Sequence, residues 1–166
     1  MNLKPGWEGR FFEDFEVGDV YRSRFGRTVT EADNLLFTHL TLNTNAIHFD
    51  ARYAAQTRWG KVLVNSTFTL ALITGMSVPD VSENALANLG WEEVRLPNPV
   101  FVGDTLYCET EVLATRASKS HPDAGILTVR SRGLNQEGKV VIEFRRTLLV
   151  YRRGRSARPD LFPEAT

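Results

Sequence analysis

Asn65-Ser66-Thr67-Phe68-Thr69-Leu70-Ala71-Leu72-Ile73-Thr74-Gly75-Met76-Ser77-Val78 is the stretch that decides the fold. Its apolar residues fall on nearly every side of a helical wheel, the pattern of a helix buried all round rather than half-exposed. A helix of this length spans about 21 Å, too short to cross a membrane and suited to a core. Pro79 stops it. Separate strands do not cover such a helix, whereas a curved sheet wrapped around it does.

The flanking sequence supplies that sheet. Downstream the apolar period changes from helical to two. Residues Ala87 to Leu96 carry Leu89, Trp91 and Val94, and Pro97-Asn98-Pro99 breaks the run. Thr105 to Ala114 sets Leu106, Cys108, Thr110 and Val112 on one face. Ile126 to Leu134 alternates again, and Asn135-Gln136-Glu137-Gly138 is a hairpin turn. Val140, Ile142, Phe144, Leu148 and Val150 share a face of the last strand, which Arg146 interrupts. Either a bulge lies there or an arginine points inward. Upstream, Val20 to Thr28 reads as a first strand. Thr30 caps a helix running from Glu31 to about Thr41, with Ala32, Leu35, Leu36 and Leu40 at helical spacing. Asp50 caps a short helix after it. The layout is α+β with helices on one face of an antiparallel sheet. Residues 1–18 form an extended entry segment that packs its aromatics on the body, 19–152 the single domain, and 153–166 a polar tail.

Composition bounds the function. The chain has 166 residues, 42% hydrophobic and 24% charged, enough for one domain with a core of its own. Twenty basic and twenty acidic residues cancel, which argues against a nucleic-acid or anionic-membrane surface. Arg145, Arg146, Arg152, Arg153, Arg155 and Arg158 crowd the C-terminal end, either as a solvated tail or as a contact for a phosphate-bearing ligand. The lone Cys108 excludes an internal disulfide and reads as a small buried hydrophobe. No signal peptide and no membrane span are recognised, so a cytoplasmic location is expected.

Leu42-Asn43-Thr44-Asn45-Ala46-Ile47-His48-Phe49-Asp50 gathers the polar chemistry. His48 can accept or donate a proton near neutral pH. Asn43 can hold a water or a carbonyl but cannot take a proton, and Asn45 can bind substrate or stitch the loop to itself. Asn65-Ser66 opens the long helix, whose first N–H groups lack internal partners and can face a carbonyl oxygen. Spacing alone leaves these residues open between structural caps and a site. Phosphate-loop, zinc and Gly-x-Ser-x-Gly patterns are absent, so no metal is expected.

Thr30-Glu31-Ala32-Asp33, the Leu42–Asp50 loop, Lys61-Val62-Leu63-Val64-Asn65-Ser66 and Arg95-Leu96-Pro97-Asn98-Pro99-Val100-Phe101-Val102-Gly103-Asp104-Thr105-Leu106 together resemble the MaoC-like dehydratases, the (R)-specific enoyl-CoA hydratases. The resemblance covers about residues 15–151 and implies a hot-dog fold, a curved antiparallel sheet around a long helix. It implies water addition across the double bond of an enoyl thioester, with coenzyme A as part of the substrate and no separate cofactor. It also implies a homodimer or a higher assembly of hot-dog pairs.

The family loop reads Gly-Asp-x-Asn-Pro-x-His. His48 falls on its histidine, Asn45 on its asparagine and Asn43 on its aspartate, with Ala46 in place of the proline. Asn65-Ser66 stands where the family has His-Gly, and the Ser66 N–H can take over the glycine's role on the thioester carbonyl. The resemblance thus assigns His48 and Asn43 to catalysis, and Ser66, Asn65 and Asn45 to substrate binding. With asparagine at 43, three ways remain to complete the chemistry. His48 acts alone, a nearby carboxylate (Glu31, Asp33 or Asp50) steps in, or the substrate brings its own. The Thr-Glu-Ala-Asp-Asn and Val-Asn-Ser segments resemble the subgroup acting on branched dicarboxylic enoyl-CoAs, mesaconyl-CoA or itaconyl-CoA, with Arg27, Arg58 or Arg95 for the second carboxylate. The competing functions are a hot-dog thioesterase and a non-catalytic acyl-CoA-binding subunit.

Overall fold

The computed structural model describes residues 6–156, together with Asn2, Lys4 and Pro163. Strands β1 (Val20–Arg22), β2 (Arg27–Thr28), β3 (Ala85–Arg95), β4 (Thr105–Ala117), β5 (Ala124–Leu134) and β6 (Val140–Tyr151) form one antiparallel sheet. Its order is β1-β4-β5-β6-β3, and β2 pairs with β4 beside β1. Helices α1 (Glu31–Leu40), α2 (Ala51–Ala55) and α3 (Ser66–Met76) are inserted between β2 and β3.

Alternation in β4 works as the sequence implies: Leu106, Cys108, Thr110 and Val112 are all buried. Ile73 of α3 packs in one core cluster with Leu106, Cys108, Ile142 and Phe144. Close approach is possible because β5 carries a glycine there. A Cβ on Gly133 would sit 2.7 Å from the Ile73 side chain. On the opposite face, Arg22, Glu109, Arg132, Glu143 and Arg95 are registered neighbours of alternating charge, a favourable cross-strand arrangement on a solvated surface.

Two expectations change, and two readings left open are narrowed. The first strand is split into β1 and β2. Between them Gly26 crosses the ring of Tyr107 so closely that a Cβ would lie 2.6 Å from it. Ser23 keeps its bond to Cys108 O, and residues 24–26 lie between the two short ladders. The long helix is buried on one side only: Thr69 and Ile73 are buried, while Ala71 and Gly75 stay exposed. Arg146 points inward without a bulge, since Val129 and Arg146 pair in unbroken register and the side chain is 1% exposed. Its NH2 group donates to Ser77 Oγ at 3.2 Å, its Nε has no partner among the described residues, and burial pushes it down to about 10. The arginine cluster is not a free anion surface. Arg152 and Arg153 pair with Glu13 and Asp14, Arg145 with Glu93, and Arg155 with Asp123. The Arg152 and Arg153 pairs clamp the entry segment, whose Phe11 and Phe15 are buried. Arg158 and most of the expected tail lie outside the described residues.

Candidate functional site

The site is built from helix ends. Thr30 and Asp33 form a reciprocal capping box that starts α1. Burial opposes the Asp33 charge, but hydrogen bonds from Thr30 and the Arg27 guanidinium hold its carboxyl below the ordinary value. At the other end, Leu42 N–H donates to His39 O and Asn43 N–H to Thr38 O. This is the double bond of a Schellman cap. It places Leu42 at a φ of 55°, the left-handed region usually left to glycine.

The chain then makes three short caps in a row. Asn43 Oδ1 accepts from Asn45 N–H at 3.0 Å, and Asn45 Oδ1 accepts from Ile47 N–H at 3.3 Å. Asp50 Oδ1 accepts from Tyr53 N–H and starts α2. The backbone N–H of Asn45 can only donate, so the Asn43 atom facing it is the oxygen, and Asn43 offers its Nδ2 donors elsewhere. Asn45 stitches the loop to itself. Asp33 and Asp50 are both engaged as caps.

His48 is 8% exposed. Its Nδ1 lies 2.8 Å from Leu63 O. A carbonyl only accepts, so Nδ1 carries the proton and Nε2 keeps a free lone pair. Leu63 precedes Ser66 by three residues, so the two Cα atoms lie within about 11 Å. Asn65 is buried, and its side chain is fully used: Oδ1 accepts from Thr67 N–H at 3.0 Å, and Nδ2 donates to Thr38 Oγ1 at 3.3 Å. Ser66 is the first residue of α3, and no described group accepts its N–H. Its φ is not among the positive ones, so a side chain there costs no strain. His48, Asn65 and Ser66 are thus brought together. Asn43 is tied to Asn45, with no bond to His48.

Asn34 and Thr38 escaped the sequence reading. The leucine stripe pointed to the opposite face of α1, yet Asn34 and Thr38 are buried while Leu36 and Leu40 are 64% and 73% exposed. Asn34 Nδ2 donates to His48 O at 2.8 Å and Leu63 O at 3.4 Å, and its Oδ1 accepts from Asn65 N–H at 2.9 Å. The signal available was the four-residue spacing of two small polar residues, which puts them on one helix face.

Beside α3 runs an open apolar groove of about 700 Å³, walled by Phe37, Phe68, Leu72 and Met76 and bordered by residues 23–27. Arg27 borders it and pairs with Asp33. Arg58 stacks on Trp59 and Arg95 lies opposite Glu143 on the edge strand, so neither lines the groove. Among the described residues no cluster of His, Cys, Asp and Glu could hold a metal ion, and no helix is long and apolar enough to cross a membrane.

Known proteins resemble this chain in sequence and fold. The chain is 36% identical over 149 residues to a mesaconyl-CoA hydratase from Cereibacter sphaeroides, covering 90% of this chain and 43% of that protein. A crystal structure of a MaoC domain dehydratase from Chloroflexus aurantiacus superposes with a TM-score of 0.85 at 32% identity, covering 99% of this chain and 47% of the other. A Mycobacterium tuberculosis protein with a double hotdog fold superposes at 0.80 and 24% identity, covering 95% of this chain and 47% of that one. The chain therefore spans less than half the length of curated relatives that it matches at 34–36% identity. The fold is the hot-dog fold, and the MaoC like domain matches residues 14–132. The chain belongs to the MaoC-like domain family.

Proposed function

We propose that the chain is an enoyl-CoA hydratase that adds water reversibly across the double bond of an α,β-unsaturated acyl-CoA, with a branched dicarboxylic acyl group as its preferred substrate. The observation that supports this is the bond of His48 Nδ1 to Leu63 O, three residues before Ser66, with Asn34 bonded both to His48 O and to the Asn65 N–H at the start of α3. Ser66 N–H and the positive end of the helix polarise the thioester carbonyl. Asn43 Nδ2 orients the water. His48 Nε2 takes a proton from that water as its oxygen bonds the β-carbon, and the electron pair moves to the thioester oxygen as an enolate. The imidazolium then returns a proton to the α-carbon. One base suffices, which suits a loop with no carboxylate at position 43. Asn65 and Asn45 serve by holding the helix start and the loop in place. Coenzyme A enters as part of the substrate, and the reaction uses no further cofactor.

The dicarboxylic preference is supported by the identity to a mesaconyl-CoA hydratase. A second hot-dog unit, another copy of this chain, would cover the open flank of α3 and the free edge of β3, as the double-length relatives suggest by their size. The cytoplasm, where a lone buried cysteine stays reduced, is the proposed setting.

The test follows the conjugated thioester absorbance of mesaconyl-, itaconyl- and crotonyl-CoA with wild type and His48→Ala. Wild type should remove the absorbance, fastest with a branched diacid, and His48→Ala should lose about 100-fold or more. Thiol release from a saturated acyl-CoA would point to a thioesterase instead, and binding with no loss of absorbance would point to a non-catalytic subunit.

A further inference from the structure

We infer that Asn34 is the positioning residue of this site, holding the acid–base histidine and the carbonyl-polarising helix end in one frame. The inference rests on the roles proposed for His48 and Ser66. Asn34 is 1% exposed and bonds three separate stretches of chain: α1, on which it sits, the loop at His48 O, and the segment before α3 at Leu63 O and Asn65 N–H. Only a carboxamide supplies two donors and an acceptor from one neutral, planar group.

Leu63 O is the pivot. It accepts the Nδ1–H of His48 at 2.8 Å and an N–H of Asn34 at 3.4 Å. A shift of this carbonyl turns the imidazole and moves the direction of Nε2. Asn34 also accepts the Asn65 N–H, one residue before the Ser66 donor. The two working ends of the site are therefore set against the same side chain. Thr38, one turn further along, completes the frame by accepting from Asn65 Nδ2. The choice of face on α1 fits this role. The helix buries Asn34 and Thr38 while Leu36 and Leu40 are exposed, so its orientation favours the polar bonds to the site alongside the packing of Phe37 on Phe68.

The experiment uses Asn34→Asp and, as a smaller replacement, Asn34→Ser, each checked for folding by circular dichroism and melting. Asn34→Asp keeps the size and the acceptor toward Asn65 N–H, but sets an oxygen against two carbonyls. Turnover should fall about 100-fold, the loss expected from a displacement near 1 Å. KM should change by no more than about twofold, because no substrate contact is removed. A second readout needs no turnover. Imidazole 15N resonances of His48 should show a single Nδ1–H tautomer in wild type and a mixture in the variants. A folded variant with wild-type kcat, or one that loses kcat with its His48 tautomer unchanged, overturns the inference. If Asn34→Asp does not fold, Asn34→Ser decides. If wild type hydrates no enoyl-CoA, the proposed activity falls, and the tautomer comparison still decides the role of Asn34.

Discussion

Replacing Arg146 by methionine should stabilise the fold. The guanidinium lies in the core at 1% exposure, on the inner face of β6, and no carboxylate pairs with it among the described residues. Burial lowers it from the ordinary arginine value to about 10, and at about 1.4 kcal/mol for each tenfold the charged form is disfavoured in the fold by about 3 kcal/mol. The bond to Ser77 Oγ recovers about 1.5 kcal/mol as a charged hydrogen bond. Ser77 keeps its own bond to Thr74 O at 2.7 Å when the arginine is removed. A net gain of about 1–2 kcal/mol follows for Arg146→Met, in line with apolar replacement of buried charges elsewhere. The folded-state value is the depressed one, so below about pH 10 both folded and unfolded chains carry the charge and the penalty is constant. It is relieved only as pH rises through the folded value. Melting at pH 7 therefore reads the whole effect, an increase of about 2–8 °C at this chain length. A variant destabilised by 1 kcal/mol or more at pH 7 would refute the reasoning, because it would require an anionic partner for Arg146.

Ser66→Pro tests the donor proposed at the helix start without disturbing the helix. Proline is tolerated at the first helical position, and Asn65 at φ −59°, ψ 126° already has the backbone of a residue before proline. Hydration should fall about 10²–10³-fold with an unchanged melt, while Ser66→Ala stays active; an active proline variant would remove Ser66 N–H from the mechanism. Leu42→Gly relieves the left-handed φ of 55°, worth about 1–2 kcal/mol for a non-glycine residue, against about 0.5–1 kcal/mol of added chain entropy. Urea titration should show a gain of about 0.5–1 kcal/mol, and a loss would mean that the exposed leucine makes a contact in solution.

What the sequence made legible was local. The α1 start is written within four residues, because Thr30 and Asp33 satisfy each other's backbone, and the alternation of β4 to β6 needs only a two-residue period. The split between β1 and β2 was hidden because the close approach between them joins Gly26 to the ring of Tyr107, about eighty residues downstream. Arg146 left two readings because a bulge and an inward arginine give the same pattern, and only the pairing with Val129 separates them. The burial of α1 was read on the wrong side because four apolar residues outweigh two polar ones by periodicity, whereas hydrogen bonds to Leu63 and His48 decide it. In the site, His48 and Ser66 stood out through the motif around them. The group that sets the histidine tautomer did not, since it is a backbone carbonyl and any residue at position 63 would provide one.

The two ends of α3 differ in a way that bears on the substrate. At the N-terminal end, the side-chain nitrogen and oxygen of Asn34 and of Asn65 are bonded, so the His48 loop and the start of α3 are held in one frame, as the proposed chemistry needs. At the C-terminal end, Arg146 Nε and Thr74 Oγ1 are buried without partners, and the guanidinium invites a substrate carboxylate. Distance decides against that pairing. Ser66 and Ser77 are eleven residues apart, about 16 Å along the helix, whereas the second carboxylate of a four- or five-carbon diacid lies roughly 5 Å from its thioester carbon at about 1.5 Å per bond. On the proposed function, a short diacid whose thioester sits on Ser66 N–H therefore does not reach Arg146, and the buried guanidinium is no partner for its second carboxylate.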